Sequence, residues 1–299
     1  MTRARANLVL LLAGAMWGMG FVAQSSAMEA IGPMLFIALR FLVATLSMLP
    51  AAIVEGRRAQ RRLAAPDWRN FAFIGALLFA GMAAQQVGLE TTTVTNSGFL
   101  TGLYVVMVPF ISVLLFRQWP HPVVWPAAFL ALSGIWLLSG GSIGALKSGD
   151  WLTMLCAFFW ALQLIYIGRG ASSAGRPVTL AVTQFTICAA IAFALALPFE
   201  KIDLSAVLSA APDILYAGIF SGGIAFTLQA IGQRYTTAPQ AAIFLSSESI
   251  FAALFGALFL GERIAVAGLA GCGLIFIAII GTEILPALVG GRKLTSPAE

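Results

Sequence analysis

The sequence predicts an all-α integral membrane protein of ten transmembrane helices, arranged as two inverted five-helix repeats with both termini cytoplasmic. Three observations carry that expectation: an extreme composition, a train of apolar runs of spanning length, and basic residues gathered in alternate loops. Hydrophobic residues make up 60% of the chain and charged residues 10%, against about 45–50% and about 25% in ordinary soluble domains. A soluble fold cannot hide that much apolar surface. The 299 residues hold about ten segments of roughly 20 residues, with no room for a sizeable soluble domain.

Apolar runs set against charged or Pro/Gly punctuation place the first five helices at 7–27, 33–54, 69–88, 94–116 and 123–139. The second five fall at 151–168, 177–198, 213–232, 238–259 and 264–284, ahead of a short polar tail. Arg3 and Arg5 before the first run, with Ser25, Ser26 and Ala27 after it, imitate a signal peptide. The run is expected to remain as the first span. With the N-terminus in the cytoplasm, Arg3, Arg5, Arg57, Arg58, Arg61, Arg62, Arg69, Arg117, Arg169, Arg176, Arg234, Arg292 and Lys293 fall inside. Only Lys147, Lys201 and Arg263 fall outside, and Arg40 lies within a helix. This is a strong positive-inside bias. Five spans per half, an odd number, force the halves to be inverted, and the loop near 139–150 joins them on the outer face. The expected repeats are 1–144 and 145–299.

The repeat is visible in the letters. Gly88 to Thr93 (GLETTT) matches Gly232 to Thr237 (GQRYTT) at an offset of 144, and each opens onto an apolar helix closed by a charged turn, at Arg117 or at Glu262 and Arg263. In the same register Gln85 falls opposite Gln229, and Trp17 falls opposite Trp160 at an offset of 143. From the start of the fourth helix to Pro109, the first half is longer by about one helical turn than the matching stretch to Ser249.

Polar and aromatic groups at mid-depth are the candidates for function, because lipid tolerates them only where they face a cavity or one another. Trp17 and Trp160 lie near the middle of their helices, away from the headgroup belts that tryptophan favours. They suit stacking or cation-π contact with a bound molecule, a reading preferred to the alternative that they only fill space between helices. Gln85, Gln229 and Gln163 offer uncharged donors and acceptors, to a ligand or between helices. Glu248 is the only carboxylate expected at mid-depth, where an ionised group costs at least about 2.5 kcal/mol. It is a candidate for proton coupling, for contact with an amine, or for an ion pair with Arg40, which otherwise snorkels toward the headgroups. Tyr104 and Asn96 in the fourth helix, and Ser246 and Ser247 in the ninth, add polar atoms. The expected substrate-binding set is Trp17, Gln85, Tyr104, Trp160, Gln163, Gln229, Ser246 and Glu248. Gly14, Gly18, Gly75, Gly81, Gly218, Gly222, Gly223, Gly268 and Gly271 are read as points of close helix approach.

Other chemistries find little support. The run Gly141 to Ser148 (GSIGALKS) has Leu146 where a phosphate-binding loop needs its second glycine, so no ATP is expected. His121, the one histidine, lies between two prolines in a loop, and Cys156, Cys188 and Cys272 fall in apolar runs, so neither metal nor cofactor is expected. The formal charge of +5 sits in short loops and forms no basic stripe for nucleic acid. An enzyme needs paired acids, a nucleophile dyad or metal ligands at one depth, and one buried glutamate does not meet that need. A channel needs a selectivity ring, and inverted repeats fit alternating access better. The expected partners are a small-molecule substrate and the bilayer; the oligomeric state stays open, a monomer being compatible with it.

Trp17-Gly18, Pro33 with Arg40-Phe41, Thr91 to Leu103 (TTTVTNSGFLTGL) and above all Gln233 to Ile264 (QRYTTAPQAAIFLSSESIFAALFGALFLGERI) give the chain, over nearly its whole length, a resemblance to the drug/metabolite transporter superfamily. It is most similar there to the ten-helix exporters with two EamA-type repeats. Thr91 stands where that family often has Tyr, and Ser249 where it often has Pro. The resemblance implies secondary active export of small metabolites, including amino acids, or of amphipathic or cationic drugs, across a bacterial inner membrane. Aromatic amino-acid exporters are among the relatives it looks most like.

Overall fold

The computed structural model describes residues 1–92, 94–140, 146–259 and 263–288. Thr93, residues 141–145, Glu262, Arg292, Lys293 and the side chains of Ser25 and Asn96 lie outside the described residues. Every regular element among those described is helical. The first half holds α1 (Arg3–Ala27), α2 (Pro33–Arg58), α3 (Ala65–Leu89), α4 (Val94–Gly102), α5 (Tyr104–Phe116) and α6 (Val124–Leu138). The second holds α7 (Ser148–Ala174), α8 (Pro177–Phe199), α9 (Leu204–Ser209), α10 (Ala211–Tyr216), a π-helical stretch Ala217–Ile224, α11 (Ala225–Gly232), α12 (Ala238–Leu245), α13 (Ser247–Phe259) and α14 (Val266–Leu288).

Nine helical rods among the described residues are long and apolar enough to cross a membrane, counting α4–α5, α10–α11 and α12–α13 as one rod each. The expected helix at 123–139 is the short one: α6 has 15 residues, a rise of about 22 Å. The helices α1, α2, α3 and α7 overrun their apolar runs by several residues. Arg69, expected at the first residue of its helix, lies one turn inside α3, and Arg169, expected just past its helix, lies inside α7. The apolar run marks where hydrocarbon would lie, whereas helical hydrogen bonding continues until a cap stops it. At α7 the stop is Gly175, whose φ of 65° ends the helix in the left-handed conformation.

Two rods break at related places. The α4–α5 rod is interrupted at Leu103 and the α12–α13 rod at Ser246, 143 residues apart. Each break is a tightened turn, with Val106 N–H donating to the Leu103 carbonyl at 3.1 Å and Ser249 N–H to the Ser246 carbonyl at 3.2 Å. The second rod therefore turns here without a proline at Ser249.

Contacts between residues give the running sense of each helix. Gly232 meets Leu10 while Ser221 meets Trp17, so α11 and the π-helical stretch run antiparallel to α1. Gln233 meets Leu164 and Phe226 meets Trp160, so α7 runs with α11 and therefore against α1. The first helices of the two halves thus point in opposite directions. Packing is exchanged accordingly: α1 lies on α11, α12 and α13 of the second half, α7 lies on α3, α4 and α5 of the first, α2 lies along α8, and α6 along α14.

The α2–α8 pair carries a reciprocal device. Glu200, just past the end of α8, accepts from the Met34 and Leu35 N–H groups at the start of α2, both at 2.8 Å. Glu55, near the end of α2, accepts from Val178 N–H at 3.0 Å and Thr179 N–H at 2.7 Å at the start of α8. Each carboxylate satisfies donors that a helix N-terminus leaves open and sits at the positive end of its dipole.

Polarity is inverted relative to a soluble protein. Leu8, Leu12, Leu46, Leu114 and Phe276 are exposed, while Arg40, Gln85, Gln86, Gln163, Gln184, Gln229 and Gln240 are buried. Close helix approach at glycine is real where α6 crosses α14: a Cβ on Gly134 would stand 2.5 Å from the Gly271 carbonyl oxygen.

Candidate functional site

The two halves meet around a cavity with about 550 Å³ of empty space, its mouth included. Its floor is aromatic. Phe226 of α11 is buried, and the Trp17 and Trp160 rings lie against it, with centroids 4.7 Å and 5.7 Å from its own. The first of these contacts is tilted and the second stacked, at 21° between planes. Trp17 is fixed by its indole N–H, which donates to the Ser221 carbonyl at 2.9 Å. That carbonyl is in place because the backbone is π-helical there, in a glycine-rich turn that lets α2 approach: a Cβ on Gly218 would lie 2.6 Å from Val43.

Polar groups are distributed over the walls. Gln85 donates to Thr101 Oγ1 at 3.0 Å, and Gln163 to Gln184 Oε1 at 3.1 Å. Glu248, one residue into α13 after the Ser246 break, accepts from the Tyr104 hydroxyl at 3.3 Å, and Tyr104 itself opens α5 after the Leu103 break. The two breaks therefore supply the two partners of one hydrogen bond. Arg40 reaches the same cavity from α2; its Nη2 donates to Ser221 Oγ at 2.8 Å and its Nη1 to Gln24 Oε1 at 3.2 Å.

Of the residues singled out in the sequence, Trp17, Gln85, Tyr104, Trp160, Gln163, Gln229, Glu248 and Arg40 all line this one cavity. Ser246 does not. Its hydroxyl is turned back onto the Ile243 carbonyl at 2.7 Å, as happens where a serine closes a helical turn. Arg40 does not snorkel, being only 3% exposed, and it forms no ion pair with Glu248. Arg3–Glu283 and Arg61–Asp67 do form ion pairs.

Sequence reasoning missed Phe21, Gln24, Thr101, Ser221 and Phe226. Gln24 was accessible in principle, because it lies seven residues from Trp17 and so on the same helix face. Ser221 carried no such signal, since the π-helical turn that orients it breaks the 3.6-residue period. The three cysteines are free thiols, and among the described residues no three His, Cys, Asp or Glu side chains gather as metal ligands.

Comparison with known proteins agrees with this architecture. The EamA-like transporter family matches twice, over residues 4–140 and 147–283. An uncharacterized transporter of Archaeoglobus fulgidus is 32% identical over 282 residues, covering 93% of this chain and 85% of the relative. The uncharacterized transporter YwfM of Bacillus subtilis is 26% identical, covering 94% of each. A WAT1-related chloroplastic protein of Arabidopsis thaliana is 22% identical over 88% of this chain and 66% of its own. A crystal structure at 19% identity superposes with a TM-score of 0.82 over 97% of this chain and 100% of the other, a likeness of fold. The chain is a multi-pass membrane protein of the EamA-like transporter family, within the drug/metabolite transporter superfamily.

Proposed function

We propose that this transporter is a secondary active exporter of small metabolites, amino acids with aromatic or other apolar side chains foremost, and that it works by alternating access around the cavity between its halves. The observation that carries the reading is the pairing of a closed aromatic floor, Trp17, Phe226 and Trp160, with one carboxylate, Glu248, in a cavity built by both halves. The floor suits an apolar side chain, and Glu248 with Tyr104 suits an ammonium group. Opposed running senses of α1 and α7 support ten spans in two inverted repeats, 1–144 and 145–299, with α6 the shortest span. The ends of α2, α3 and α7 that carry Arg58, Arg69 and Arg169 all lie at the end of the bundle that holds Arg3, which supports cytoplasmic termini in a bacterial inner membrane. The chemistry is movement rather than catalysis, and the drive is a substrate or ion gradient.

Export of organic cations by the same cavity is the second reading, favoured by the same Glu248 beside aromatic rings. Counterflow in proteoliposomes against a panel of amino acids, nucleosides and cationic drugs decides between them. Saturable exchange of apolar amino acids is the expected result. Exchange of cations alone would replace the first reading with the second, and unsaturable flux at conductance-like rates would overturn both.

A further inference from the structure

Arg40 is the costliest group in the cavity wall. It lies within the spanning helix α2, it is buried, and among the described residues no carboxylate lies within ion-pair distance of it. A buried cation is normally matched by an acid or by a functional anion. Its guanidinium is held from behind by the Phe41 and Phe36 rings, 5.3 Å and 6.0 Å from the central carbon. Of its five N–H donors, those spoken for point to Gln24 Oε1, Ser221 Oγ and, weakly, the Met82 sulfur, and the Nε–H has no partner.

The neighbour repeats the pattern. A guanidinium only donates, so the Gln24 carbonyl oxygen must be the atom turned toward it. That leaves Gln24 Nε2, which is buried and without a partner. Two cavity-lining residues that share one hydrogen bond therefore each keep a buried donor without a partner, one of them cationic. Glu248 is the carboxylate of the same cavity.

We infer that Arg40 and Gln24, braced by Ser221, form an anion subsite that takes the carboxylate of the carried molecule, opposite in chemistry to the Glu248 position that takes its ammonium. This rests on the reading of the cavity as the transport site. It narrows the substrate class to zwitterions and disfavours simple cations, for which Arg40 is repulsive. The planar fork of arginine suits a two-oxygen ligand.

The test is competition in proteoliposome counterflow by three matched ligands: an apolar amino acid, its amide, and the amine that lacks the carboxyl group. For the wild type, the amide and the amine should compete about tenfold to a hundredfold more weakly than the acid. Arg40→Gln and Gln24→Met should weaken the acid by about tenfold or more while moving the amide and the amine by less than about twofold. Equal weakening of acid and amide, or an acid that binds no better than its amide to the wild type, would overturn the subsite. If Arg40→Gln does not fold, the wild-type comparison and Gln24→Met decide alone. If none of the three ligands competes, the amino-acid reading has failed on its own, and the subsite is judged by simple organic carboxylates. Competition by these that Gln24→Met weakens supports it, and no competition by any carboxylate overturns it. Replacing chloride by a bulky sulfonate separates a counter-ion from substrate: acid competition that vanishes without chloride would assign Arg40 to the ion.

Discussion

The two halves of the molecule agree in their scaffold and differ in the charges they give the cavity. Both break one rod, at Leu103 and at Ser246, and both cap the other's second helix with a carboxylate, Glu55 or Glu200. Both give the cavity a tryptophan and a glutamine at related positions, Trp17 with Trp160 and Gln85 with Gln229. The charges in the cavity follow no such rule. At an offset of 144, the position of Arg40 in the second half is Gln184, and that of Glu248 in the first is Tyr104. Symmetry supplies a container with two equivalent ends, and departures from it give the container a polarity, as the proposed carboxylate and ammonium positions require.

The largest expected effect comes from removing the acid. Glu248→Gln should lower kcat/KM for ammonium-bearing substrates by about a hundredfold, whereas Tyr104→Phe at its symmetry mate should cost less than about tenfold. If proton movement is coupled at Glu248, the same variant flattens the pH dependence of uptake. The ionisable neighbours to be controlled are Tyr104, Arg40 across the cavity, and Cys156 behind Trp160 and Thr101. Equal losses in the two variants would show that the hydrogen bond matters and the charge does not.

The aromatic pair tests the symmetric side of the comparison. Trp17→Ala and Trp160→Ala should each weaken binding of an aromatic substrate by about tenfold, and each should spare a small hydrophilic one. Direct measurement of affinity in purified protein, by competition or calorimetry, distinguishes this from slowed transport. A loss confined to one variant would mean that the floor is used from one side only.

These expectations also mark how far the sequence could be read. Hydropathy and loop charge determine where helices run, because the bilayer imposes both on every residue, and the match of Gln85 with Gln229 survives because the repeats share a backbone. The mid-depth residues were legible one by one, since a buried Trp, Gln or Glu stands out in an apolar run. The breaks at Leu103 and Ser246 were not: Gly102-Leu103-Tyr104 and Leu245-Ser246-Ser247 match at no position and neither has a proline at the turn. Nor was the role of Ser221, which follows from a π-helical turn that changes the period. Arg40 was visible, but its freedom from Glu248 is a matter of distance, which no spacing along the chain encodes.

The reciprocal caps sharpen the comparison in the scaffold. Glu55→Gln and Glu200→Gln each leave the geometry in place and remove the charge that faces a helix N-terminus, so each should lower stability by about 1 kcal/mol. Thermal unfolding in detergent reads both, and the two losses should match within about 0.5 kcal/mol if the α2–α8 pair is as symmetric in energy as in contacts. A clearly larger loss at one of them would locate a stiffer end of the bundle. It would also predict that the other end opens more readily.

The smallest effect belongs to the amides, and it separates packing from binding. Gln85→Leu breaks the bond to Thr101, while Gln229 has a carbonyl oxygen that is buried with no partner. A hydrogen bond between helices in a membrane is worth about 0.6 kcal/mol, so Gln85→Leu should cost about that in stability and Gln229→Leu should cost less or even stabilise. In counterflow the order is expected to reverse, because Gln229 lines the cavity with an acceptor not committed to another side chain, whereas the Gln85 amide is already held by Thr101. Gln229→Leu should weaken substrate binding by about threefold, and Gln85→Leu by less. The same order in both assays would make the two glutamines equivalent in function as well as in position, and the polarity of the cavity would then rest on Arg40 and Glu248 alone.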